Sequence, residues 1–96
     1  MGTTVYVRDF RGNLLQRGAT EMGGLLAAAR QACLPLLGSV DEYDDTVFNR
    51  SQVALVLEEL DRLELSADLE HARSELILMA GGVQQRPHRY LVFNGD

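Results

Sequence analysis

Four carboxylates fall within five consecutive residues, Asp41, Glu42, Asp44 and Asp45, interrupted only by Tyr43. This is the densest charge in the chain. Side chains so placed could ligate a divalent cation or face a basic partner. A calcium loop needs oxygen ligands at alternate positions, a central glycine and a distal glutamate. Here Tyr43 takes an alternate position and no glycine follows, so the spacing points away from a metal. Neighbouring like charges repel, and packing does not call for such a cluster. A solvated loop is the simplest account of it. The functional account is a recognition surface for an unidentified, basic protein partner, carried by Asp41, Glu42, Tyr43, Asp44 and Asp45. Such a surface would speed encounter electrostatically.

The remaining reactive side chains form no set. Cys33 with His71 or His88 is a conceivable nucleophile–base pair, but no local signature joins them. Cys33 reads as a small core residue, His71 as a helix-surface residue and His88 as part of a loop. Neither histidine has a partner at a recognised metal-ligand spacing. Gly23-Gly24 and Gly81-Gly82 lack the Lys-Ser/Thr ending of a phosphate loop. Gln84, Gln85, Arg86, His88 and Arg89 make the one cationic patch. Without interleaved aromatics it is weak support for nucleic acid, and Arg89 could simply pair with Asp9 across a sheet. The residues therefore predict no catalytic site, no cofactor site and no metal site.

The element that positions the acidic stretch is the helix that follows it. Asn49 is a good N-cap, with Gln52 at the third helical position to reach back and complete a capping box. Phe48 before the cap and Val53 at the fourth position have the spacing of a hydrophobic staple. Val53, Val56, Leu57, Leu60 and Leu63 then form an apolar stripe, with Glu58, Glu59, Asp61 and Arg62 mainly on the other side.

Upstream, residues 3–9 alternate around Val5 and Val7, as a half-buried strand does. Arg11-Gly12-Asn13 signals a turn, and residues 14–17 return as a second strand. Thr20 is placed to cap a first helix through Cys33, with Leu25, Leu26, Ala29 and Cys33 inward and Leu36 or Leu37 just beyond. Gly23 and Gly24 weaken its first turn by about 1 kcal/mol each, and Pro35 stops it. Ser66 is a candidate cap for a third helix through Ala80, with Leu69, Ala72, Leu76, Ile77 and Ala80 inward and Gly81-Gly82 as its stop. The short connection at Leu65 and Ser66 makes the last two helices an antiparallel hairpin. Residues 83–88 read as loop and residues 89–93 as a strand, apolar on both faces and paired with residues 3–9.

The 96 residues suit one domain, and an apolar share of 46% rules out a disordered tail. The formal charge of −5 argues against general nucleic-acid binding. All nine basic residues are arginines, which coding bias explains. Cys33 stands alone, so an internal disulfide is impossible and a reducing, cytoplasmic setting is favoured. No apolar run reaches the roughly 20 residues a membrane span needs, and the first residues lack the pattern of a signal peptide.

Residues 41–52, followed by the leucine-rich helix, and the closing Tyr90-Leu91-Val92-Phe93-Asn94-Gly95-Asp96 resemble a group of small, uncharacterised, mostly actinobacterial proteins. The group carries a T-V-F-N-x-x-Q segment, matched here by Thr46, Val47, Phe48, Asn49 and Gln52. It ends in F-x-G-D, matched by Phe93, Gly95 and Asp96. The resemblance implies a small stand-alone cytoplasmic protein and no assigned activity. Asn94 departs from the apolar residue expected there.

The expected fold is α+β: a small antiparallel sheet of an N-terminal hairpin plus the C-terminal strand, covered by three helices. The expected function is that of a small acidic non-catalytic protein-binding module, immunity-type or regulatory, that binds neither nucleic acid nor membrane. One alternative is a small-molecule-binding protein or small enzyme with a pocket near Tyr43, Phe48 and Tyr90. The other is a structural homodimer.

Overall fold

Alternation around Val5 and Val7 builds the first strand, β1 (Thr4–Asp9), in the computed structural model, which describes residues 2–95. At its end the Asp9 carboxylate accepts from the amides of Arg11 and Asn13, both at 2.9 Å, and from the Asn13 side chain at 3.0 Å. The backbone bond from Asn13 leads in holding that carboxyl below its ordinary range. Gly12 takes a φ of 89°, which glycine adopts without the steric cost of a Cβ. The chain returns as β2 (Leu14–Arg17), exposed throughout, with a bulge between Val7 and Arg8. Asp9 and Arg89 are register partners, yet the expected ion pair is absent. Asp9 is committed to its turn, and Arg89 donates to the Gly82 carbonyl at 2.8 Å.

The first helix, α1 (Gly23–Gln31), buries Leu25, Leu26 and Ala29 as the stripe requires. Its ends differ from expectation. Thr20 does not cap it; the Thr20 amide and hydroxyl both donate to Glu75, at 2.9 Å each. Burial alone would raise the Glu75 carboxyl, but these bonds, the Ala19 amide and the nearby His71 charge outweigh it and hold the carboxyl low. At the other end, the Cys33 amide donates to the Arg30 carbonyl and the Leu34 amide to that of Ala29. That pair of bonds is a Schellman turn, and it puts Cys33 in the left-handed region at φ 59°. Cys33 is therefore an exposed cap residue and not part of the core. A 3-10 turn at Leu37–Ser39 follows and buries Leu37.

Thr46–Phe48 forms a short strand, β3, where the sequence suggested only an approach to the helix. Helix α2 (Arg50–Arg62) begins at Asn49 with both capping-box bonds at 2.9 Å. Phe48 and Val53, the staple pair, are buried. Glu59 corrects the amphipathic pattern: it points inward and is 3% exposed. Its carboxylate accepts from the amides of Leu36 and Leu37 at 3.0 and 2.9 Å. The polar anchor is thus α2 itself, clasping the turn that leads to the acidic loop.

A second 3-10 turn, Ala67–Leu69, leads into α3 (Glu70–Gln85). Arg73 reaches back to the Leu60 and Leu63 carbonyls and pairs with Glu70, satisfying acceptors at the end of α2. Gly81 and Gly82 do not end α3. The helix runs through them because Val83 continues the buried stripe of Ala72, Leu76, Met79 and Ala80, and burial outweighs glycine's weak propensity. Ile77, expected inward, is 42% exposed.

The last strand, β4 (Arg89–Asn94), pairs antiparallel with both β1 and β3, giving the order β2-β1-β4-β3. The α+β fold is the one expected, enlarged by one strand. Val5, Val7, Phe48, Leu91 and Phe93 join the helix stripes in a single core. By alternation, Tyr6, Arg8, Val47, Tyr90 and Val92 occupy the other face of the sheet. Val92 is buried there, outside that core, so β4 is apolar on both faces as predicted. No helix of the described residues is long and apolar enough to cross a membrane.

Candidate functional site

The acidic loop is built from both of its ends. Val40, 3% exposed, anchors the entry in the core. Arg30 of α1 donates to the Val40 carbonyl at 3.1 Å and pairs with Glu42 at 3.4 Å. The Asp41 amide donates to the Thr46 hydroxyl at 3.0 Å and closes the base of the loop. Within the loop, the Tyr43 amide donates to the Asp41 carboxylate and the Asp45 amide to that of Asp44, both at 2.8 Å. With its amide oriented to satisfy its neighbours, Asn94 donates to the Asp45 carboxylate at 2.9 Å. Gly95 comes so close that a Cβ there would lie 2.3 Å from the Asp44 carbonyl oxygen.

These bonds fix the loop's backbone and leave its tip in water. Asp41, Glu42, Asp44 and Asp45 are all exposed, and Tyr43 is 79% exposed. The five predicted site residues are thus all exposed, on one loop. Among the described residues, no group of His, Cys, Asp and Glu side chains is arranged to hold a metal ion.

Comparison with protein-family models, curated proteins and solved structures gave no match.

Beside the loop lies a concavity of about 280 Å³ lined by Thr3, Glu21, Gly23, Leu26, Arg30, Glu42 and Tyr43. Its polar groups are engaged in holding the fold. Glu21 accepts from the amides of Thr3 and Gly23 at 2.6 and 2.8 Å, and Arg30 holds the loop. Tyr43, Phe48 and Tyr90, expected around one pocket, are apart: Phe48 is buried, and Tyr90 lines a separate groove with Asn49, Arg50, Ser51, His88 and Arg89. His88 packs edge-to-face on Phe10, and His71 lies near enough to Glu75 for its charge to act there.

Sequence reasoning missed the residues that shape the loop, namely Arg30, Val40, Thr46, Asn94 and Gly95. Most of their partners are distant in sequence, so no local spacing marks them. The signal within reach was the pairing of the first and last strands, which places Asn94 and Gly95 at the sheet end beside the loop. Residues that carried the family resemblance have structural jobs: Thr46 closes the loop, Asn49 and Gln52 cap α2, and Gly95 supplies clearance.

Proposed function

We propose that the protein is a small, non-catalytic binding module whose 41–45 loop docks a basic protein partner. The observation that carries this reading is Tyr43: a large aromatic side chain held 79% in solvent, flanked in sequence by four exposed acidic residues, on a loop pinned at both ends. Exposed tyrosines on pre-organised backbone are typical anchors of protein interfaces, because little conformational freedom remains to be lost on binding. The surrounding carboxylates supply long-range attraction for a cationic surface. The lone, exposed thiol of Cys33 suits a reducing, cytoplasmic compartment, where thiols persist unpaired.

The test is capture of partners on the immobilised protein, followed by association-rate measurements. A loop-neutralised protein carries Asp41→Asn, Glu42→Gln, Asp44→Asn and Asp45→Asn. Its amide oxygens still accept the loop's internal bonds, so thermal stability should hold. Association should slow by roughly tenfold or more at low salt, as expected when steering charges are removed. Equal rates for both proteins at low and physiological salt would show that the loop is not the steering surface and remove the main support for this reading.

A further inference from the structure

The cationic patch gains in three dimensions the aromatics it lacks in sequence. At the end of the sheet remote from the loop, Arg8 lies over the Tyr90 ring at 5.0 Å. Phe10 meets His88 edge to face at 5.6 Å, and Arg11 lies over Phe10 at 5.4 Å. Arg89 adjoins them, Arg86 precedes His88 by two residues, and Arg50 stands across a groove of about 170 Å³. Among the described residues, ion pairs involve only Arg30 and Arg73. Five arginines thus lie unpaired at one end of a chain that has 14 acidic residues to its nine arginines. The Asp9 carboxylate is bound by its turn amides and also attracts Arg11, so it offsets part of that one charge and leaves the end cationic.

The two ends follow one plan with opposite sign. One presents an exposed tyrosine among acidic residues, the other the exposed Phe10 and His88 and the half-buried Tyr90 among guanidiniums. We infer that the cationic end receives the 41–45 loop of a second copy, so that copies of the chain join head to tail. This inference rests on the loop's being a docking element. The loop cannot satisfy its own cationic end. Thr46 pairs with Phe93 and Asp9 with Arg89, so the two sites sit at opposite ends of β4. Four residue steps at ~3.4 Å separate them by about 14 Å, beyond the ~10 Å screening length at 0.1 M salt. In trans, Tyr43 meets Phe10, His88 and Tyr90, and the carboxylates meet Arg8, Arg11 and Arg86. The contact joins two different patches, so it propagates into rings or open chains and is not confined to a dimer.

Sedimentation with mixed variants tests this. The parent's mean mass should rise with concentration at low salt and return to that of the monomer near 1 M salt, where the screening length is ~3 Å. The loop-neutralised protein keeps the cationic end. A second protein, with Arg8→Gln, Arg11→Gln and Arg86→Gln, keeps the loop; Arg50 and Arg89 are spared because they bond helix carbonyls. Each variant alone should stay monomeric, and their mixture should form a one-to-one complex that grows no further. Tyr43→Ser, at an exposed position, keeps every charge and should weaken association by roughly tenfold or more, as loss of an interface anchor does.

A parent that stays monomeric at low salt, a mixture of folded variants that does not combine, or a Tyr43→Ser protein that associates like the parent would each overturn the inference. So would a monomeric parent that retains a labelled single-stranded oligonucleotide through its arginines, since that assigns the end to nucleic acid. None of these outcomes touches the loop's role toward a foreign partner, which fails only if loop neutralisation leaves partner association unchanged.

Discussion

Glu59 and Glu75 are the two acids whose positions the helical pattern misassigns or leaves silent, and both fasten distant backbone. Glu59 accepts two amides in the interior. Glu59→Ala should destabilise the fold by about 1–3 kcal/mol for each amide left without a partner, and Glu59→Gln should cost less, because its single amide oxygen keeps one acceptor. Urea unfolding midpoints of the two variants check this; equal midpoints to the parent would move Glu59 out of the core. Glu75 has a pH signature. Its carboxyl is held below the ordinary value of 4.5 in the folded state. The folded protein therefore favours the ionised form, and the stabilisation is present above the unfolded value and lost as pH falls through the folded one. Thermal melts of the parent should drop on acidification below about pH 4.5, and Glu75→Gln should flatten that slope. The same slope in both would show that other groups govern the acid limb.

At the scale of elements, the start of α2 was legible because three preferences agree within six residues, Phe48 to Val53. The capping box and the staple need no tertiary knowledge. Asn49→Ala should cost about 0.5–2 kcal/mol, and a double-mutant cycle with Gln52→Ala should be non-additive because both residues share one cap. Additive effects would separate the two bonds. The ends of α1 and α3 were not legible. Cys33 takes a left-handed turn that most L residues avoid, and the turn holds because Schellman bonds and Leu37 burial reward it. Glycine at 81 and 82 reads as a stop, yet Val83 sits two turns of the stripe beyond Leu76 and draws the helix onward. Both misreadings have one cause: tertiary burial overrode a local preference. The strand Thr46–Phe48 escaped notice for the same reason, since three residues carry no periodicity of their own and gain their pairing only from β4.

For the whole molecule, the α+β class, the pairing of first and last strands and the helical hairpin all followed from sequence pattern. The acidic cluster and the 84–89 cationic patch were legible too, but not the patch's full extent, because Arg8, Phe10 and Arg11 join it only through the pairing of β1 with β4. Phe93 is where the core's elements meet: it is fully buried, and its ring contacts that of Phe48 at 5.9 Å, edge to face. Phe93→Ala should cost about 3–5 kcal/mol, a large part of the roughly 5–15 kcal/mol that holds a domain of this size together. A denaturation midpoint close to the parent's would show that the ring contributes little to the core.

The strand order also governs when the fold can form. The two central strands lie at opposite ends of the chain, with Val5 opposite Phe93. Their registration requires the stretch between them, with all three helices, to close on itself, an entropic cost that rises with the logarithm of the loop. The α2–α3 hairpin needs only local contacts and can collapse early, on the microsecond scale of helices and small chains. On the ribosome, β1 emerges before the three helices and waits unpaired for its neighbour β4, which emerges after them. The acidic loop, fastened to Asn94 and Gly95, acquires its shape only when that final strand docks, so partner recognition is withheld from the nascent chain until synthesis has passed the end of the sheet.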